Sequence, residues 1–294
     1  MTTSNRSEMV VGVDGSPASS RALRWAAREA GLRGAELTVA YVFDSNRHEV
    51  DLRRETYSAV VGAIARTVVD GAVAIARTEA PGLRIRSLPL FGAAAATLVN
   101  AAERGAMTVV GNRGRGGFRS LLLGSVSEQV ATHAAGPVVV VRGRPGVDGP
   151  IVDGPIVVGV DGSASDEGVL GEAMAEADLR QAPVEAIFAH PKLDPTVVPK
   201  GPPYVQDDVD RRELFAAAAE RWRQRFPAVK LELEVVEGDA AEALIDASAT
   251  AQLVVVGSRG HGGFAGLRLG SVARHLLHHA HCPVMVVRPT ELDP

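Results

Sequence analysis

The sequence predicts two tandem α/β domains, each an open five-stranded parallel sheet with helices on both faces. Three observations lead to this class. Short Val-rich runs alternate with stretches of helical period, the pattern of strands joined by crossover helices. The pattern occurs twice: Met9–Ser16 returns as Ile156–Ser163, and Val109–Arg142 aligns without gaps to Val255–Arg288 with 20 identities in 34 positions. The 294 residues are also too many for one small domain and comfortable for two.

Strand one of the first copy runs from Met9 to Val13. A helix starts at Pro17, with Ser16 as N-cap and proline in the first helical position. Ala22, Leu23, Ala26, Ala27 and Ala30 form its apolar stripe; Val169, Leu170, Ala173, Met174 and Ala177 hold the same places in the second copy. The other strands are Leu37 to Phe43, Arg84 to Leu90, Met107 to Gly111 and Pro137 to Arg142. Helices near Val50 to Arg77, Ala94 to Arg104 and Ser125 to Ala134 fill the gaps. Ser125-Val-Ser-Glu128 reads as a capping box, whereas the second copy has Arg274 in the Glu128 position. The Gly- and Pro-rich stretch Gly143–Gly154 reads as a linker, giving domains 1–149 and 150–294.

Composition narrows the partners. With 46% hydrophobic, 22% charged and only 4% aromatic residues, the cores are built from Val, Leu, Ala and Ile. A net charge of −4 without a basic stripe argues against nucleic acid, and no apolar run is long enough for a membrane span. The single cysteine, Cys282, allows no internal disulfide and fits a reducing compartment; with no secretory leader visible before strand one, a cytoplasmic protein is expected.

The loop after strand four carries the chemistry. It reads Gly111-Asn112-Arg113-Gly114-Arg115-Gly116-Gly117 and ends at Gly124-Ser125. The second copy reads Gly257-Ser258-Arg259-Gly260-His261-Gly262-Gly263 and ends at Gly270-Ser271, with the same spacing G-x2-G-x9-G-S. Glycines let backbone amides approach a phosphate and permit positive φ. The Gly-Ser pair opens a helix whose free amides and dipole favour an anion. Arg113 and Arg259 are placed to neutralise phosphate. In open parallel sheets a ligand binds beyond the carboxyl ends of the strands, where strand order reverses. Asp14 and Asp161 end strand one at that point; their partner is a ribose hydroxyl or a Mg²⁺ ion, and the ribose is favoured.

With these motifs, each present twice, the chain resembles the ATP-binding universal stress proteins in their tandem two-domain form. The resemblance covers essentially the whole chain. It implies a Rossmann-like, adenine nucleotide α-hydrolase-like fold with ATP between the strand-one and strand-four loops. It places Gly12, Val13 and Asp14 beside adenine and ribose, and Val42 in the base pocket. Gly111, Arg113, Gly114, Gly124, Ser125 and Val126 then hold ribose and phosphates. Gly159, Val160, Asp161 and Ala189 are the second copy's base-side residues, with Ala189 shortening the Val42 position. Gly257, Arg259, Gly260, Gly270, Ser271 and Val272 complete its phosphate side.

The expected function is that of a nucleotide-dependent regulator of stress response or growth state, binding ATP with or without Mg²⁺. The alternative is a slow ATPase or phosphotransferase on the same loops. Against dedicated catalysis, the first half has no lysine and neither half a G-K-S/T loop. A dinucleotide oxidoreductase is disfavoured because strand one leads into G-V-D-G-S rather than G-x-G-x-x-G. The apolar last strands, Pro137 to Arg142 and Pro283 to Arg288, suggest pairing of sheet edges and self-association into a homodimer; the resemblance implies that the two halves pair with each other through these strands. His275, His278, His279 and His281 suggest a metal cluster at first sight, but no carboxylate joins them and a solvated helix face is expected. Five prolines between Pro191 and Pro203 form a stiff connection that either covers the ligand or simply links two elements.

Overall fold

The computed structural model describes residues 8–43, 54–101, 107–115, 122–143, 153–190, 203–260 and 268–288. The chain divides into two compact units that part near residue 145. The expected boundary at residues 149 and 150 lies outside the described residues, as do most of the linker and of the proline-rich connection.

The first unit contains β1 (Glu8–Val13), α1 (Pro17–Arg33), β2 (Glu36–Phe43), α2 (Arg54–Glu79), β3 (Ile85–Phe91), α3 (Ala94–Ala101), β4 (Met107–Gly111), α4 (Ser125–His133) and β5 (Val138–Val141). β1 pairs in parallel with β2 on one side and β4 on the other; β3 adds beyond β2, and β5 beyond β4. The spatial order is therefore β3-β2-β1-β4-β5, and it reverses between β1 and β4.

The second unit repeats this with β6 (Ile156–Val160), α5 (Asp166–Arg180), β7 (Val184–His190), α6 (Pro203–Arg225), β8 (Leu231–Glu237), α7 (Ala240–Ala247), β9 (Leu253–Gly257), α8 (Ser271–His279) and β10 (Val284–Val287). Its order, β8-β7-β6-β9-β10, reverses between β6 and β9. Each unit is the Rossmann-like, doubly wound sheet that the sequence predicts.

The strands that meet at each reversal are apolar on both faces, because helices cover both. Met9, Val11, Val109, Val158 and Val255 are fully buried. Both predicted helical stripes face this core: Ala22, Ala26, Ala27 and Ala30 in α1, and Leu170, Ala173, Met174 and Ala177 in α5, have no exposure. Ser16 caps α1 as predicted, accepting from the Ser19 amide at 3.1 Å.

Two packing features escape periodicity. Glu29 and Arg33 form an i,i+4 ion pair near the end of α1, and Glu176 and Arg180 repeat it in α5; both glutamates are buried, Glu176 completely. In the second unit Gly171 receives Trp222 of α6: a Cβ at Gly171 would lie 2.4 Å from the indole. Trp222 Nε1 also donates to the Glu167 carbonyl at 3.0 Å.

Candidate functional site

The reversal point of each sheet gathers the loops after its first and fourth strands. In the first unit β1 ends in an Asx turn: Asp14 Oδ1 accepts from the Ser16 amide at 2.9 Å, with Gly15 between them at φ 75°. In the second, Asp161 Oδ1 accepts from Ser163 at 3.1 Å around Gly162 at φ 73°. Positive φ is needed at these two glycines. The described glycines of the strand-four loops, Gly111, Gly114, Gly124, Gly257, Gly260 and Gly270, do not use it. That corrects the expectation that they supply left-handed backbone: most of them supply space.

The space has identifiable claimants. A Cβ at Gly114 would stand 2.6 Å from Asp14 Oδ2, and one at Gly260 2.7 Å from Asp161 Oδ2. Gly111 lies against the backbone of Ala18 and Ser19, where the first turn of α1 crosses the end of β4. Gly12 and Gly159 make room for Leu98 of α3 and Leu244 of α7. Val13 and Val160 are buried, while Val42 and Ala189 are partly exposed at the ends of β2 and β7.

The strand-four loop is tied at both ends. Asn112 donates its amide to the Val141 carbonyl at 3.1 Å and accepts from Gly124 N at 2.8 Å. Ser258 does the same with Val287 and Gly270, both at 2.7 Å. Asn112 and Ser258 are buried, and their Oδ1 and Oγ atoms have no hydrogen-bond partner. Arg113, Gly114, Arg115, Arg259 and Gly260 are exposed on the rising side of the loop. Gly116, Gly117, His261, Gly262 and Gly263 lie outside the described residues.

The helix after each loop opens on glycine. Gly124 and Gly270 are the N-caps of α4 and α8, with extended backbone and no side-chain cap bond. Ser125 and Ser271 are therefore first helical residues, and the expected capping box is absent. The register is one residue early: Glu128 falls a place beyond the one from which it could reach back. Its charge remains in the first turn of α4, and α8 has no acid there. The amides of Ser125, Val126 and Ser127, and of Ser271, Val272 and Ala273, precede the first intrahelical bonds, which are made by Glu128 N and Arg274 N. By contrast, α1 and α7 are capped by Ser16 and Asp239 side chains.

Electrostatics concentrate at the same edge. Burial alone would raise the Asp14 carboxyl, but hydrogen bonds from Ser16, Arg115 and Ser19 together hold it below its ordinary value. Arg115 donates its amide to Asp14 Oδ2 at 2.7 Å, and its guanidinium lies over Gly15. Tyr41, buried at the end of β2, is raised by burial and feels both Arg115 and Asp14. The Arg142 guanidinium is brought down to about 10 by burial and by Arg113. Arg288 is lowered likewise, by burial and then by Arg268 and Arg259. Tyr41, Arg142 and Arg288 were not foreseen from the sequence. The two arginines do recur at matched positions, a signal that could have found them.

His275 and His279 of α8 have ring centroids 6.5 Å apart, and among the described residues no group of three or more His, Cys, Asp or Glu is placed to hold a metal ion. No helix among those residues is long and apolar enough to cross a membrane.

These features define a tandem, doubly wound α/β protein with a glycine-capped helix facing the strand-order reversal of each half. The model of the universal stress protein family matches residues 6–142 and 154–288. A universal stress protein of Mycolicibacterium smegmatis is 37% identical over 291 residues, covering 96% of this chain and 97% of the relative. One from Mycobacterium tuberculosis H37Rv is 35% identical over 300 residues, covering 95% and 94%. The chain belongs to the universal stress protein family. The crystal structure of a universal stress protein from Archaeoglobus fulgidus shares the fold, with a TM-score of 0.69 at 20% identity over 97% of both chains.

Proposed function

We propose that the protein is a nucleotide-dependent regulator that binds an adenine nucleotide, ATP with or without Mg²⁺, at the strand-order reversal of each unit. The observation that carries this reading is the pair of helix starts, α4 and α8, whose first amides are left to a ligand by glycine N-caps. The donor set suits a polyphosphate. Amides and arginines converge on one edge, and the like charges of Arg113 and Arg142, or of Arg259 and Arg288, are relieved by an anion between the loops. Asp14 and Asp161, held by the Asx turns, stand where a ribose would lie. Val42 and Ala189 face the base side.

Regulation rather than turnover follows from what the residues supply. Arginine and main-chain amides bind phosphate, but no lysine occurs in the first half to follow a transferring group. ATP occupancy would then set conformation or partner choice. The test is to release and identify the nucleotide that copurifies with the full chain, followed by calorimetric titration with ATP. Binding at up to two sites per chain is expected. No heat with ATP, and no copurifying nucleotide, sinks the reading; several turnovers per second would replace it with an ATPase.

A further inference from the structure

β8 is an edge strand of the second unit, with β7 on one side and, among the described residues, no strand on the other. Its ladder bonds fix which main-chain groups face outward. The Lys230 carbonyl accepts from Val184 N at 2.8 Å, and Gly238 N donates to the His190 carbonyl at 2.9 Å. The register between β7 and β8 is unbroken, so the even-numbered residues turn their main chain toward β7. Leu231, Leu233, Val235 and Glu237 therefore turn theirs outward. Arg223 of α6 takes one of these groups, the Leu231 carbonyl, at 3.2 Å. Among the described residues nothing bonds to the outward groups of Leu233 and Val235.

The first unit blunts the matching edge. β3 has the same parity: the Arg84 carbonyl accepts from Leu37 N, and Gly92 N donates to the Phe43 carbonyl. Pro89, in register with Tyr41, thus stands at an outward position and has no amide to offer. Its counterpart, in register with Phe188, is Val235. Ser87 likewise gives way to Leu233.

The side chains of β8 alternate in kind. Leu233 and Val235, 38% and 40% exposed, lie on one face. Glu232 and Glu234 lie on the other, in register with Glu185 and Ile187. Lys230 pairs with Glu232 at 2.5 Å, and no ion pair among the described residues reaches Glu234 or Glu185. α7 packs on this face, with Leu244 against Gly159, and adds exposed Glu242 and Asp246. Burial first, then the charges of Glu234 and Glu232, raise the Glu185 carboxyl, and an arriving cation relieves that crowding. In the first unit Thr38, Arg86 and Leu88 hold the positions of Glu185, Glu232 and Glu234.

We propose that the outer edge of β8 is a docking surface for an extended segment of a partner protein whose side chains alternate between basic and apolar. As an added strand it pairs with the main chain of Leu233 and Val235. Its apolar residues lie beside those two side chains, and its Lys or Arg residues beside Glu232 and Glu234. A second copy of this chain is a poor occupant. β8 against β8 sets glutamate beside glutamate on one face, and β3 is barred by Pro89. β7 separates β8 from β6 and the strand-order reversal, so docking here does not depend on the nucleotide reading.

The test uses the full chain and a short fluorescein-labelled peptide in which lysine and valine alternate, followed by fluorescence anisotropy. Wild type is compared with Val235→Pro, which installs the residue of the first unit at an outward position and removes no bond to β7, and with Glu234→Lys. Wild type should bind the alternating peptide, and each variant should weaken binding on the order of tenfold. A peptide of the same composition with its lysines grouped at one end, and one alternating glutamate and valine, should bind wild type more weakly by at least that factor. Should Val235→Pro fail to fold, the peptide series on wild type and Glu234→Lys still decide. Equal affinity of wild type and folded Val235→Pro overturns the proposal, because charge would then act without strand pairing. Equal binding of the alternating and grouped peptides overturns it too, as does no binding to wild type. A wild-type dimer in sedimentation that Val235→Pro abolishes gives the edge to a second copy and overturns the choice of partner.

Discussion

Asp14 Oδ2 stands where a methyl group on Gly114 would come within 2.6 Å of it. The contact joins the end of β1 to the loop after β4 across the strand-order reversal, and the Arg115 amide closes it with a 2.7 Å hydrogen bond. The second unit repeats the approach between Asp161 and Gly260. The aspartate and the loop glycine are thus one device, and neither can change alone.

Gly114→Ala should displace the Asp14 carboxylate, break its bond to Arg115 and reshape the first site. ATP affinity there should fall on the order of tenfold, about 1.4 kcal/mol, with the fold retained. Gly260→Ala should act the same way on the second site. Titration calorimetry of each variant assigns each site to its half; unchanged affinity at both sites would separate the glycines from binding.

The ends of α1 and α5 offer a stability test. Gly34 closes α1 in the left-handed region at φ 62°, and its counterpart Gln181 adopts the same conformation at φ 52°. A side chain pays about 1 kcal/mol for that backbone. Gln181→Gly should therefore stabilise the second unit by about that amount, and Gly34→Gln should destabilise the first similarly. No atom lies within 4 Å of a Cβ at Gly34, so the effect is torsional rather than steric. Thermal melts of the two variants moving in opposite directions would confirm it.

The Glu176–Arg180 pair should behave as a coupled unit. Arg180→Met leaves a fully buried carboxylate with weaker compensation and should cost about 3–5 kcal/mol. Adding Glu176→Gln should recover part of that loss. Urea unfolding of both single variants and the double variant gives the coupling energy; strict additivity would contradict the pairing.

Asp14 and the first unit should share an acid limb. A carboxyl lowered in the folded state contributes stability above its unfolded value, near 3.8, and loses it as pH falls through the lower folded value. Asp14→Asn should flatten the stability of the first unit across that acid range. The chain has two tryptophans, Trp25 in α1 and Trp222 in α6, so unfolding of a Trp222→Phe protein followed by fluorescence reports the first unit.

The duplication, the alternation of strands and helices, the Ser16 cap and both apolar stripes were legible because each is a local pattern. The position of the strand-four loops at the carboxyl edge followed from strand–helix alternation alone. The individual duties of the glycines did not. Gly12 answers to Leu98, Gly111 to the backbone of Ala18, and Gly114 to Asp14, partners remote in the chain. Tyr41 feels the charges of Asp14 and Arg115 through space, and strand alternation carries no sign of that. The capping box failed by one residue: Gly124 gives its amide to the Asn112 carbonyl, and this long-range bond fixes where α4 begins.

By itself the sequence determined what depends on neighbours along the chain: periodicity, capping chemistry at Ser16, the repeat, and a loop rich enough in glycine to approach an anion. Tertiary structure decided which distant groups share a small volume. It set Asp14 against Gly114 and, within each unit, brought the arginine after the last strand under the charge of the loop arginine, Arg142 with Arg113 and Arg288 with Arg259. Charge and burial act through space, so a carboxyl that looks ordinary in the sequence acquires its proton affinity only when the strand order has chosen its surroundings.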